Sequence, residues 1–194
     1  MIRSVLLALL LVPTTGVAAD KPELLAVGTE PPSFTLRTLN PKESGVKRAV
    51  MRYTVGPAAK EPEKGKKDRR PFKRPIKLLA ISFYATWCVS CQDEVPLLDK
   101  WAGQLKSQGF AAFVVGTDKG TDGKNKIKKR IAEMGLTVPV FHDGMNVLMR
   151  RYKAAALPTL YLVDQSGAIV YAKSGFSLKK GDDKKLLTTI RKYL

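Results

Sequence analysis

Ile76 to Tyr84 is an unbroken apolar, β-prone run, and helical spacing follows it from Val89 to Ser107. A short apolar run of this kind is the pattern of a buried strand. In the helical stretch Val95, Leu98, Trp101, Ala102 and Leu105 fall on one face, and Pro96 inside it predicts a kink. A buried strand that feeds directly into an amphipathic helix points to an α/β architecture. Phe110 to Gly116 reads as a second buried strand, and Asn125 to Met134 as a basic amphipathic helix closed by Gly135. Val138 to Phe141 is a short strand and Met145 to Lys153 a short helix. Thr159 to Val163 and Ala168 to Ala172 form a hairpin through the turn Asp164-Gln165-Ser166-Gly167, and Lys180 to Tyr193 is a closing helix. This order describes a sheet with helices on both faces.

The chain ahead of that core is of different material. Residues 1–19 carry Arg3, an apolar stretch from Val5 to Val12, and small residues Val17 and Ala19 before Asp20. This is the pattern of a cleaved export signal, with an apolar stretch too short to span a bilayer. Residues 20–41 form an N-terminal arm, with an alternating stretch at Ser33-Phe34-Thr35-Leu36 that suits a strand or an extended segment. Residues 42–75 hold twelve Lys/Arg against four Asp/Glu. Positions 46–55 suit a short helix or strand, and 56–75 read as a basic solvated loop or insertion. Residues 76–194 are the core, and 27–194 together make one domain.

The 194 residues carry 34 Lys/Arg and 17 Asp/Glu, a net charge of +17. Two cysteines exclude a disulfide-dense scaffold, and one histidine excludes most histidine-rich metal sites. Phe72 is the only aromatic residue in 56–75, so nucleic-acid contact there would be nonspecific. Contact with anionic lipid headgroups or envelope polymers suits an exported basic chain better. Solvation of the Lys-rich helix 125–134 and tail 179–192 is the plainer reading of the remaining charge.

The chemistry is expected at Trp87-Cys88-Val89-Ser90-Cys91, where strand gives way to helix. Two cysteines three apart in the first turn of a helix can form a disulfide. Unpaired backbone N–H groups and the helix dipole favour a thiolate on the first. Cys88 is then the attacking residue and Cys91 the one that resolves the mixed disulfide. Half a zinc site, an inert structural disulfide and a heme attachment site are the other readings of such a pair. There is no second CxxC to complete a zinc site, and Gln92 stands where heme attachment needs His.

Residues 76–95 resemble the active-site strand and helix of thioredoxin-fold proteins, most closely the exported TlpA/ResA-like thiol–disulfide oxidoreductases. The pattern Trp-Cys-x-x-Cys-x-x-Glu-x-Pro is met by Trp87, Cys88, Cys91, Glu94 and Pro96. Leu157 to Asp164 with Gly167 resembles the family's cis-proline segment and hairpin, and Val27 to Leu36 its N-terminal strand. The resemblance covers about residues 27–41 and 76–194. It implies a thioredoxin-like fold: a central mixed sheet, helices on both faces and an added N-terminal strand region.

The resemblance also implies roles. Pro158 would be the cis-proline facing the disulfide, leaving the backbone of Leu157 to pair with an extended substrate. Glu94 would tune the cysteine pair or assist proton transfer, where an ordinary first-turn helix glutamate is the plainer reading. Trp87 would shield the disulfide and contact substrate, with core packing as its plainer role. Ser82 stands where cytosolic thioredoxins carry a buried Asp, so Glu94 or water would handle the proton on Cys91.

No cofactor and no metal are implied. The expected function is a protein-disulfide reductase, periplasmic or otherwise exported, with membrane association an option. Its substrates would be disulfide-containing envelope proteins, such as apocytochrome c or copper-site proteins, and a membrane thiol reductant would donate electrons. The alternatives are a copper chaperone-like protein and a thiol peroxidase of the AhpC/TSA type. The chaperone would want CxxxC and a distal His, whereas His142 sits at a strand end. The peroxidase would want Thr and Pro where Ala85 and Ile81 stand.

Overall fold

The structure is a computed structural model, and it describes residues 23–51, 54–56, 59 and 67–194. The expected export signal at 1–19 and residues 60–66 of the basic stretch lie outside the described residues.

The apolar runs form the centre of the molecule. β3 (Leu78–Tyr84) and β4 (Phe110–Gly116) are buried along their whole length and pair in parallel. β5 (Val140–His142) extends the parallel set on one side. β6 (Thr159–Asp164) runs antiparallel to β3, and β7 (Ile169–Ser174) completes a hairpin with it. The sheet is therefore mixed, in the order β5-β4-β3-β6-β7. A strand with neighbours on both edges and helices on both faces has no polar side, which is why β3 and β4 read as continuous apolar sequence.

Each face of the sheet has its own core. On one, Leu78, Ala80, Val114 and Leu160 pack with Val95, Leu98 and Trp101 of α2 (Val89–Gln104), Ile127 and Ile131 of α3 (Gly120–Met134), and Leu186 and Ile190 of α5 (Asp182–Lys192). On the other, Ile81, Phe83, Phe113 and Phe141 meet Leu148 of α4 (Val147–Arg151), Tyr152, and the N-terminal residues Phe34, Ala49 and Met51. Phe34 sits edge-on to Phe113, Phe141 and Tyr152. Burying each such side chain stabilises by roughly 1.5–3 kcal/mol.

The N-terminal region is a small antiparallel pair, β1 (Thr35–Arg37) with β2 (Arg48–Val50), joined through the short α1 (Pro41–Ser44). Residues 46–55 thus hold a strand. Asn40 ties this region to the main sheet. Its side chain donates to Leu136 O and Val138 O, and its carbonyl accepts from Val140 N at 2.9 Å. Farther along, Phe72 stacks on Phe113, and Arg74 donates to Phe110 O at 2.7 Å.

α3 begins at Gly120, earlier than the spacing at Asn125 predicts. Gly120 and Gly123 look like breakers, but Gly123 lies inside the helix because Asp118 packs against it. A Cβ at Gly123 would fall 2.5 Å from the Asp118 carbonyl oxygen. The helix ends as expected on Gly135, in the left-handed conformation at φ 62°. α2 runs through Pro96 from Val89 to Gln104.

Candidate active site

The parallel strands β3, β4 and β5 end on the same edge of the sheet. The chain leaving each is held by its neighbour: Thr117 N donates to Tyr84 O and Asp143 N to Gly116 O, both at 2.9 Å. The turn leaving β3 is fixed by Asp118, whose carboxylate accepts from Thr86 N at 2.9 Å and from Thr86 Oγ1 at 2.5 Å. Cys88 N then donates to Ala85 O, and the helix starts. Asp118 escaped the sequence reading; its only signal was a lone acid one residue beyond the Thr that follows a buried strand. His142 closes the same edge, with Nε2 2.7 Å from Asp118 O, a structural placement.

Cys88 is the N-cap of α2, in extended conformation, and it is joined to Cys91 in a disulfide. Its Sγ also accepts from Cys91 N at 3.2 Å, taking one of the N–H groups a helix start leaves unpaired. Cys91 is 0% exposed and Cys88 is 6% exposed. Reagents therefore meet Cys88 first. Once the bond is open, the N-terminal dipole and that N–H favour a thiolate on Cys88.

Leu157 and Pro158 lead into β6. The Leu157–Pro158 bond is cis, and Pro158 is buried. Thr159 lies opposite Phe83 at the end of β3 from which the chain runs on to the disulfide. Leu157 packs against the cluster that holds both cysteines. The segment is anchored by Thr159 Oγ1 donating to Ala156 O and Gly175 N donating to Pro158 O.

Trp87 is 72% exposed, so it lies outside the core. Val89, between the cysteines, and Met145, in the loop after β5, are as open at 79% and 78%. These three apolar side chains stand at the end of the sheet that carries the disulfide. The motif pointed to Trp87 alone, because Met145 comes to this edge only through the pairing of β4 with β5.

Glu94 is buried beneath the helix start, one turn beyond Cys91. Ser82 Oγ donates to its Oε1 at 2.6 Å. Burial pushes the Glu94 carboxyl up to about 7; the Ser82 bond and Lys173 oppose this, and Asp182 adds to it. A carboxyl poised there can exchange a proton near neutral pH. The sequence raised Ser82 only as a missing acid, and the structure makes it the partner of Glu94.

A mixed sheet with a CxxC disulfide at the start of the helix after its central strand, and a cis-proline leading into the strand paired with it, defines a thioredoxin-fold protein. The AhpC/TSA family model matches residues 60–172, and the chain belongs to that family. It is similar to the thiol-disulfide oxidoreductase ResA of Geobacillus kaustophilus, with 27% identity over 111 residues. That match covers 57% of this chain and 62% of the relative, so the chain spans less than two thirds of that protein's length. ResA of Bacillus thuringiensis is 26% identical over 155 residues, 80% of this chain and 73% of that one. Among solved structures, the thioredoxin domain of a thiol-disulfide oxidoreductase from Bacteroides vulgatus superposes with a TM-score of 0.62. It is 23% identical and covers 87% of this chain and 98% of that domain, a likeness of fold.

Proposed function

We propose that this protein is an exported thiol–disulfide oxidoreductase that reduces disulfides in other envelope proteins. The observation that carries the reading is the position of Cys88: N-cap of α2, its sulfur against Cys91 N, with Cys91 sealed behind it. In the reduced protein the Cys88 thiolate attacks a substrate disulfide. A bond forms between Cys88 Sγ and one substrate sulfur, and the other leaves as a thiolate. Cys91 then gives its proton to Glu94 and attacks Cys88 Sγ. The Cys88–Cys91 bond forms, the second substrate sulfur leaves, and two electrons have passed to the substrate. A membrane thiol reductant restores the dithiol.

In this reading Trp87 is a contact surface for the substrate, and the backbone of Leu157 beside Pro158 pairs with its extended chain. Apocytochrome c and copper-site proteins are the substrate classes we favour, which would place the protein in cytochrome c biogenesis or its copper counterpart. Residues 1–19 are the export signal, 20–41 the arm and strand, 42–75 the basic insertion and 76–194 the core. Among the described residues no helix is long and apolar enough to cross a membrane. Disulfide exchange is preferred to peroxidase chemistry because Ala85 and Ile81 occupy the places where a peroxidase needs Thr and Pro.

The test is a redox titration of the protein in glutathione or dithiothreitol buffers, with turnover of a protein disulfide and of hydrogen peroxide in parallel. A potential near thioredoxin's, about −270 mV, with disulfide turnover supports the reductase. A potential near −120 mV would reverse the direction to disulfide donation. Peroxide consumption without disulfide turnover would replace the reading.

One observation favours an additional contact with an anionic surface. Lys47 and Arg48 of the β1–β2 region line one cleft of about 980 Å³ with Lys67 and Lys73. Asp68 is the single carboxylate among the described lining residues, and it is already engaged by Arg70 and Lys73. Such a cleft suits anionic lipid headgroups or an envelope polymer. Salt-sensitive binding to phosphatidylglycerol vesicles, absent with phosphatidylcholine and lost in Lys47→Glu/Arg48→Glu, is the expected result. Equal binding to both vesicles would remove this contact.

A further inference from the structure

Ser82, Leu160 and Lys173 form one row across three strands. Ser82 lies opposite Leu160 on β6, and Leu160 lies opposite Lys173 on β7. Residues directly opposite in a sheet share a face. Here it is the face covered by α2 and α5, since Leu160 packs in the cluster that holds both cysteines. Two strand spacings separate Ser82 from Lys173 by about 10 Å at Cα. Glu94 reaches into this row from α2 to meet Ser82.

Beyond the row stands a second carboxylate. Lys173 Nζ bonds Asp182 Oδ1 at 2.5 Å in the first turn of α5, and Asp182 Oδ2 accepts from Ser177 N. The charged and titratable groups around Glu94 are thus Lys173 and Tyr171 on β7 and Asp182 on α5, with Lys185 acting in turn on Asp182. β3 contributes the neutral Ser82, and α2 contributes Cys91. Lys173 favours the charged form of Glu94 and Asp182 the neutral form. Glu94 is buried, while the Lys173 side chain is 32% exposed and that of Asp182 10%, so solvent screens part of these fields.

We propose that Lys173 and Asp182 are a positioning pair for Glu94, which together set when its carboxyl takes the proton that Cys91 gives up in resolving a mixed disulfide. The inference rests on the proposed exchange chemistry. The proton moves from Cys91 Sγ to Glu94, the sulfur's electron pair forms the bond to Cys88 Sγ, and the substrate sulfur leaves with the old bonding pair. When the site is reduced again, the proton returns to Cys91. Neither Lys173 nor Asp182 touches the reacting sulfurs; both act through Glu94.

The two halves of the pair push Glu94 in opposite directions, and that separates this role from a structural one. The experiment is a ¹³C NMR titration of the Glu94 carboxyl in the full oxidised chain. Lys173→Met is expected to raise the midpoint and Asp182→Asn to lower it, each by about half a pH unit or more. The double variant should fall between them, and Lys173→Arg should stay near the wild type. If both single variants move the midpoint the same way, or neither moves it, the pair is an ordinary ion pair and the inference fails. Should Asp182→Asn not fold, the contrast between Lys173→Met and Lys173→Arg still decides. The pH profile of mixed-disulfide decay is expected to shift in the same sense. A wild-type chain that resolves no mixed disulfide at any pH would sink the proposed function, while the carboxyl titration would still judge the pair.

Discussion

Ser82 Oγ donates to Glu94 Oε1 at 2.6 Å in the layer directly beneath the disulfide. A hydroxyl is a neutral partner. It offers a buried carboxylate one hydrogen bond and no charge, so desolvation prevails and the carboxyl holds its proton to about pH 7.

That relation makes stability depend on pH with a definite sign. The folded Glu94 titrates near 7 and its ordinary value is 4.5, so between these limits the folded chain keeps a proton the unfolded chain has released. Glu94's contribution is therefore fully present below 4.5 and falls as pH rises toward 7, by about 3 kcal/mol in all. Urea denaturation of the oxidised protein at pH 5 and pH 8 should show the fall, and Glu94→Gln should remove it. An unchanged difference in the variant would mean that another group is responsible.

The two cysteines should separate by role. Cys88→Ser is expected to abolish exchange. Cys91→Ser is expected to accumulate mixed disulfides through Cys88, visible by non-reducing electrophoresis and mass spectrometry. Adducts that formed on Cys91 in a Cys88→Ser protein would reverse the assignment.

Trp87 is open to solvent, so Trp87→Ala should change stability by no more than about 0.5 kcal/mol. Reduction of a protein disulfide should slow several-fold, whereas a small aromatic disulfide should react as before. Equal slowing of both reactions would make Trp87 a support for the cysteines and remove its substrate role.

Gly123 and Asp118 should prove coupled. Gly123→Ala places a methyl against the Asp118 backbone, and such overpacking costs about 1–3 kcal/mol. Because Asp118 holds Thr86, the rate of exchange should fall together with the melting temperature. A lower melting temperature with an unaltered rate would show that the turn before Cys88 stands without this brace.

Asn40 is the test of how the N-terminal region is joined to the sheet. Asn40→Ala removes the partner of three backbone groups and should cost about 2–3 kcal/mol. Loss of amide protection at Val140 is the local sign to look for by hydrogen exchange. Retained protection there would mean that Phe34 and Met51 do the joining.

Much of this was legible in the chain, and the reason is locality. β4 begins and ends where its apolar run does, and Gly135 stops α3 because a left-handed cap is a local requirement. The place of Cys88 and Cys91 at a helix start followed from the switch of period after Tyr84. What was not legible was set by partners distant in sequence. Gly123 looks like a breaker until Asp118 is seen against it. Asn40 shows no role until it meets Leu136, Val138 and Val140. Ser82 reads as a missing acid, and Lys173 shows no role, until the registers of β3, β6 and β7 bring them into one row. Met145 gives no hint from its neighbours that it stands at the same edge as the disulfide.

The unequal burial of the two sulfurs carries a last consequence. Cys91 is 0% exposed, while Cys88 keeps 6% of its surface open. In the proposed exchange, a partner that delivers electrons and a partner that receives them would both join to Cys88, so they would exclude one another. Such a protein would not bridge two others while current flows between them. On that reading it would leave one before it meets the next, and its throughput would be set by how often it travels as well as by how fast its sulfurs react.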